Sequence, residues 1–162
     1  MRFPFLQTSS LSPPATGSPN NSTNSENELT KLLSSQINDA VETGDLDDAC
    51  LFYDVVGPNK LKYSFGAFNS TDIWNFTGDL FTFDIESSIK ANNMVNKFNI
   101  YMYFGLLPEK DLMGLLHSVN DLKINVICSD ESAQKEFVRL TGKKPLATIQ
   151  NFDVKEIKKV IQ

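Results

Sequence analysis

Between residues 25 and 57, apolar positions follow the spacing of helices. Ser25 and Glu28 form an N-terminal capping pattern, and apolar residues then recur every three or four positions until Gly44. Asp45 can begin a second, short helix that ends before Gly57. The pattern therefore predicts an acidic helical hairpin over residues 26–57. The apolar face of its second helix consists of Leu46, Ala49, Cys50 and Tyr53.

Residues 58 to 85 carry the alternation of apolar and polar positions that is typical of half-buried strands. It predicts one strand over 61–67 and another over 79–85, with a short strand-like segment at 73–76 between them. Such short connections favour an antiparallel meander. Residues 86–96 have few apolar positions and are compatible with a short helix or a loop.

From residue 97 onward, predicted strands and helices alternate. The strands are 97–104, 124–128 and 146–149; the helices follow Pro108, run from Ser129 or Asp130 to Gly142, and close the chain after residue 153. Alternation of this kind favours right-handed crossovers and a partly parallel sheet. We therefore expect an α/β (or α+β) fold in which residues 58–162 form a mixed sheet, an antiparallel meander followed by βαβαβα. Residues 26–162 are expected to fold as one unit.

The first 25 residues are dominated by Ser, Thr, Asn and Pro, which predicts a disordered tail. Ser12 and Ser18 each precede a proline and are candidate phosphorylation sites, although a plain linker has the same composition. The apolar stretch at the very start is interrupted at Gln7, too early for a secretion signal.

Composition is that of a globular protein, with 41% hydrophobic residues, 22% charged residues and a net charge of −5. No apolar run approaches the roughly 20 residues of a membrane span, so we expect a protein of the cytoplasm or nucleus. Acidic residues concentrate before residue 58 and basic residues after residue 134. The basic end could meet an acidic partner or a nucleic acid, or it could pair with the acidic helices of the same molecule. Its lysines are Lys143, Lys144, Lys155, Lys158 and Lys159.

The sequence contains no motif for catalysis, a cofactor or a metal. Cys50 and Cys128 lie among apolar neighbours, which predicts packing, and His117 lies beside the apolar stripe of its helix, which predicts exposure. A ligand site at the carboxyl ends of the strands remains an alternative. Ser129 and Asp130 are better explained there as a helix cap. The candidates for such a site are Gly105, Ser129, Asp130, Asn151 and His117.

These absences favour a non-enzymatic protein–protein interaction module, a small subunit or adaptor of a larger intracellular complex. Tyr101 and Tyr103 lie on the strand face opposite Phe98, Ile100 and Met102, and would form an interface unless helices cover them. The alternatives are a small α/β enzyme or ligand-binding protein, and a nucleic-acid-associated subunit that uses the C-terminal lysines. The predicted interaction surface comprises Tyr101, Tyr103, Asp45, Asp47, Asp48, Lys143, Lys144, Lys158 and Lys159.

Overall fold

The structure is a computed structural model that describes residues 2–7, 22–53, 62–94, 98–105 and 111–162. The described strands are β1 Arg2–Gln7, β2 Asp48–Tyr53, β3 Gly66–Asn69, β4 Gly78–Thr82, β5 Phe98–Phe104, β6 Asn125–Cys128 and β7 Ala147–Thr148. The described helices are α1 Ser22–Glu42, α2 Ile85–Asn92, α3 Leu112–Asn120, α4 Glu131–Thr141 and α5 Val154–Ile161. Short 3-10 turns occupy Ser70–Asn75 and Gln150–Phe152.

The strands form one sheet in the order β3-β2-β1-β4-β5-β6-β7, and every described ladder is parallel. The chain adds β2 and β3 on one side of β1 and then returns to add β4 to β7 on the other side. The order is therefore that of an open, doubly wound α/β sheet, whose direction of winding reverses between β1 and β4. The α/β fold and its alternation of strands and helices match the prediction.

Helices cover both faces of this sheet. On one face α1 and α5 pack against strand residues that include Phe81, Tyr103 and Ile127. On the other face α2, α3 and α4 pack against residues that include Met102 and Val126. Because both faces are buried, the strands can be apolar at consecutive positions rather than at alternate ones.

The predicted antiparallel meander is absent from the described sheet, because β2 and β1 lie between β3 and β4 and every described ladder is parallel. Helix α2 then connects β4 to the parallel strand β5 as a crossover helix. Asp84 caps this helix by accepting a hydrogen bond from the Ser87 backbone N–H at 2.7 Å. The Ser87 and Ser88 side chains are buried, and both hydroxyls are hydrogen-bonded to Asp84. Since these serines occupy buried positions, the segment lacked the apolar signal of a helix.

The prediction of a second helix in the hairpin is also wrong, because residues 48–53 form strand β2. Ala49 to Tyr53 are apolar without interruption, which is typical of a parallel strand buried on both faces. Apolar residues at every position also satisfy a helical spacing, so periodicity alone did not distinguish the two structures. The strand-like segment at 73–76 lies instead largely in a 3-10 turn.

Two parts of the N-terminal segment are described, residues 2–7 and the chain from Ser22 onward. Strand β1, Arg2–Gln7, pairs with β2 along its length and with β4 at Phe5 and Leu6. Its central residues Phe3, Pro4, Phe5 and Leu6 are apolar without interruption, as in a short parallel strand. Helix α1 begins at Ser22, three residues before the predicted cap Ser25. Ser12 and Ser18 lie outside the described residues.

Candidate interaction surfaces

The carboxyl ends of the strands bring Gly105 and Ser129 together, as the sequence predicted for parallel strands. The Ser129 N–H donates to the Phe104 carbonyl at 2.9 Å. Gly105 has a φ of 108°, and a Cβ at this position would overlap Ser129 Oγ and Ala133 Cβ. The glycine thus allows α4 to approach β5 closely, and this part of the edge is filled by protein atoms.

The helices α2 to α5, which begin at this edge, are each capped by an aspartate. The Asp130 carboxylate accepts from the Ala133 N–H at 2.8 Å, and this hydrogen bond holds the pKa of Asp130 below its ordinary value. These positions, at which a helix could bind a phosphate, are therefore occupied by the chain's own negative charges. The four caps are Asp84 on α2, Asp111 on α3, Asp130 on α4 and Asp153 on α5.

Tyr103 lies in the core and fixes the turn before α5. Its hydroxyl donates to the Ile149 carbonyl and accepts from the Phe152 N–H at 2.9 Å. Asn151 and Phe152 both have φ in the left-handed region, at 53° and 54°, which is unfavourable for a residue as large as Phe152. Burial raises the pKa of Tyr103 to about 12. Asn151 therefore belongs to a structural turn beside Tyr103.

The predicted interface through Tyr101 and Tyr103 is wrong, because α1 and α5 cover this face of the sheet. Tyr101 stacks on Phe81 with 5.2 Å between ring centroids. Burial raises the pKa of Tyr101, and the charge of Asp79 raises it further. Both tyrosines stabilise the core.

His117 and the two cysteines show no arrangement for nucleophilic chemistry. His117 Nδ1 lies 2.8 Å from the Asp121 carboxylate on the exposed side of α3. Cys50 and Cys128 are buried free thiols. Burial raises the pKa of Cys128 to about 12, which disfavours the reactive thiolate.

The acidic turn before β2 and the basic helix α5 pair with each other. Lys155 Nζ lies 3.2 Å from the Asp45 carboxylate, and Lys158 Nζ donates to the Asp45 carbonyl. The Thr43 hydroxyl and then Lys155 lower the pKa of Asp45. The predicted cluster of lysines is thus divided, because these α5 lysines contact the chain's own acidic turn. Asp47, Asp48 and Lys159 are exposed.

An exposed aromatic surface borders strand β3, at the edge of the sheet. We call Phe68, Trp74 and Phe76 the aromatic edge. Trp74 is 67% exposed and Phe68 is 36% exposed, while Phe76 contacts Phe68 with 4.9 Å between ring centroids. The sequence alone does not reveal this surface, because most aromatic residues between 63 and 104 are expected in the core. The sequence signal for this surface is that the alternation of apolar and polar positions is interrupted at residues 73–76.

A depression lies at the amino end of β6, near the ends of α3 and α4. We call it the lysine groove, and it has a volume of about 510 Å³. Lys143 and Lys144 line it, as does Lys123, which does not belong to the predicted lysine cluster. Lys143 Nζ donates to the Val119 carbonyl at 3.1 Å near the end of α3. The fold therefore joins two predicted lysines to a third from a separate loop.

Comparisons of the chain with protein-family models, with curated proteins and with solved structures gave no match. Within the described part of the chain, no helix is long and apolar enough to cross a bilayer. Nor do any three His, Cys, Asp or Glu side chains of those residues form a group that could hold a metal ion.

Proposed function

We propose that this chain is a non-enzymatic protein-interaction module, a small subunit or adaptor of a larger intracellular complex. It binds an extended segment of a partner protein at the aromatic edge. The observation that carries the proposal is the 67% exposure of Trp74 beside an edge strand. Contact between exposed aromatic side chains and water is unfavourable, so such surfaces often mark binding sites. Tryptophan is also enriched among the residues that dominate the free energy of binding.

The aromatic edge is held rigidly, which favours a role in recognition. Ile73 is buried next to Trp74 and anchors the turn that carries it. Asn69 caps this turn, and its side-chain oxygen accepts from the Thr71 N–H at 3.0 Å. A surface that is already ordered loses less conformational entropy when it binds.

The position of β3 favours an extended segment as the occupant. Within the described sheet, β3 pairs on one side only, with β2. The outer backbone groups of such an edge strand can pair with another extended chain. Phe68 and Trp74 lie beside this edge and can pack against an apolar side chain of the added segment.

The carboxyl edge gives less support to an enzyme or a nucleotide-binding protein. Four aspartates cap α2, α3, α4 and α5 there and disfavour a phosphate group at those helix ends. Binding to nucleic acid is also less favoured, since the net charge is −5 and the α5 lysines Lys155 and Lys158 contact Asp45.

Affinity purification of the full chain from its native source, with Trp74→Ala as the test variant, examines the proposal. We expect a stoichiometric partner with the unchanged chain and its loss with Trp74→Ala. Met113→Ala is the matched control, because Met113 is a large apolar residue that is 75% exposed on α3. The Met113→Ala variant should still co-purify with the partner.

The purified partner then allows a direct test of the contact. Trp74 is the sole tryptophan, so its fluorescence should shift to shorter wavelength as the partner binds. Backbone amides of Gly66–Asn69 should gain protection from hydrogen exchange. If Trp74→Ala leaves partner binding unchanged, the aromatic edge is not the binding surface. Elution of the chain alone, without any stoichiometric partner, would refute the interaction module.

A further inference from the structure

We infer that the lysine groove binds an acidic segment of a partner protein, with an apolar side chain of that segment seated between the lysines. The groove lies near the amino ends of β6 and β7, whereas the aromatic edge borders β3 at the far side of the sheet. The inference therefore concerns a second surface and does not rest on the proposed function of the first.

The charge of the groove carries the inference. In the described residues, none of Lys123, Lys143 and Lys144 forms an ion pair. The lining itself contains no acidic residue, and Asp121, two positions before Lys123, pairs with His117. The groove therefore presents three ammonium groups without acidic partners of their own.

The helix ends at the groove reduce this positive charge without cancelling it. Helices α3 and α4 both end beside the groove, and each helix C-terminus carries the equivalent of about half a negative charge. Lys143 already donates a hydrogen bond to the Val119 carbonyl at the C-terminal end of α3. Lys123 and Lys144 remain to meet carboxylates of an incoming segment.

The lining of the groove favours a peptide over a nucleic acid. The accessible apolar residues of the lining are Leu146, which is 47% exposed, and the half-buried Pro145, both just after Lys144 in the chain. Such a lining suits an apolar side chain flanked by carboxylates. Phe137, the aromatic residue of the lining, is buried, so it offers no ring on which a base could stack. A volume of 510 Å³ is within the range of sites that hold a compact ligand.

Fluorescence anisotropy with a defined peptide tests the inference on the full chain. The probe is a labelled peptide with one leucine between two pairs of aspartates, and its control carries asparagines instead. We expect binding of the acidic peptide alone, weakened about tenfold or more by the double variant Lys123→Gln, Lys144→Gln. Leu146→Ser should weaken binding as well, because it removes the apolar margin.

The matched control is the double variant Lys135→Gln, Lys159→Gln, which removes the same charge at two exposed positions outside the groove. This variant should bind the peptide as the unchanged chain does. An equal loss of binding in both double variants would reduce the effect to net charge and overturn the inference. Absence of peptide binding, or tighter binding of a labelled oligonucleotide at the same salt concentration, would also overturn it. Trp74→Ala should leave peptide binding unchanged, which separates this surface from the aromatic edge.

Discussion

Tyr103 and Phe152 join the centre of the sheet to the start of the last helix. The Tyr103 hydroxyl accepts a hydrogen bond from the Phe152 N–H at 2.9 Å and donates one to the Ile149 carbonyl, while the two rings lie edge to face at 5.1 Å. The contact fixes Phe152 in its left-handed backbone conformation, so a single side chain of β5 determines how the chain enters α5.

Replacing Tyr103 with phenylalanine removes both hydrogen bonds and keeps the ring. We expect Tyr103→Phe to lower the free energy of unfolding by about 1–3 kcal/mol, because buried backbone groups lose their partner. Urea denaturation followed by circular dichroism measures this change. Tyr101→Phe is the matched control, since its hydroxyl makes no hydrogen bond with the described residues, and it should cost less than about 0.5 kcal/mol. Equal effects of the two substitutions would contradict the role of the hydroxyl.

The same tyrosine predicts a loss of stability at alkaline pH. Burial raises the pKa of Tyr103 from 10.0 to about 12 in the folded state, so the unfolded chain releases this proton first. The free energy of unfolding should therefore fall as the pH rises from about 10 to about 12. Cys128, whose pKa is also raised to about 12, contributes to the loss in the same direction, beginning at a lower pH.

Urea denaturation at about pH 8 and about pH 11 separates the two groups. Tyr103→Phe keeps Cys128 and loses the ionisable hydroxyl, so its stability should fall less between the two pH values. The difference between the unchanged chain and Tyr103→Phe should shrink at the higher pH. A difference that stays constant would show that Tyr103 has the same pKa in the folded and unfolded states.

The cap of α4 predicts a second stability change. Asp130→Ala removes the acceptor for the Ala133 N–H and should lower the free energy of unfolding by about 0.5–2 kcal/mol. Asp130→Asn keeps an acceptor and should lower it less. Glu131→Ala is the control for charge, because it removes one carboxylate from the same helix turn without removing the cap.

The pH dependence of this effect has the opposite sign from that of Tyr103. The pKa of Asp130 is lowered in the folded state, so its contribution is present above the ordinary carboxyl pKa and is lost as the pH falls through the folded pKa. The difference in unfolding free energy between the unchanged chain and Asp130→Ala should therefore narrow in acid. A difference that is independent of pH would mean that the carboxylate charge contributes nothing to the cap.

The sequence predicted the elements whose ends carry chemical signals. Strand β5 alternates regularly and ends before a glycine, and α4 begins at a capping aspartate and ends at Gly142, which has a φ of 68°. At β2 the sequence does not distinguish a strand from a helix, because continuous apolar residues fit both periods. At α2 it does not distinguish a helix from a loop, because the buried positions include serines. The local pattern of apolar positions and helix caps therefore indicates the class of fold. Whether two strands pair in parallel or antiparallel depends on which segments form crossover helices.

The candidate surfaces were predicted less well because they combine residues that are distant in the chain. Lys143 and Lys144 were identified from charge, but Lys123 reaches the same groove from the loop after α3. Trp74 was counted with the core aromatics, since composition does not show which side of a turn faces solvent. Tyr101 and Tyr103 failed as surface candidates because the helices that cover them, α1 and α5, are remote in sequence.

The place of β1 between β2 and β4 predicts that the fold requires residues 2–7. This strand pairs with all six residues of β2, so its deletion would leave a row of backbone groups in the middle of the sheet without partners. Each unpaired buried group costs about 1–3 kcal/mol, and a few of them equal the whole stability of a typical domain. We expect the deletion variant to lose cooperative thermal unfolding by circular dichroism. Pro4→Ala keeps the strand and should unfold cooperatively, and a deletion variant with the melting temperature of the full chain would exclude β1 from the sheet.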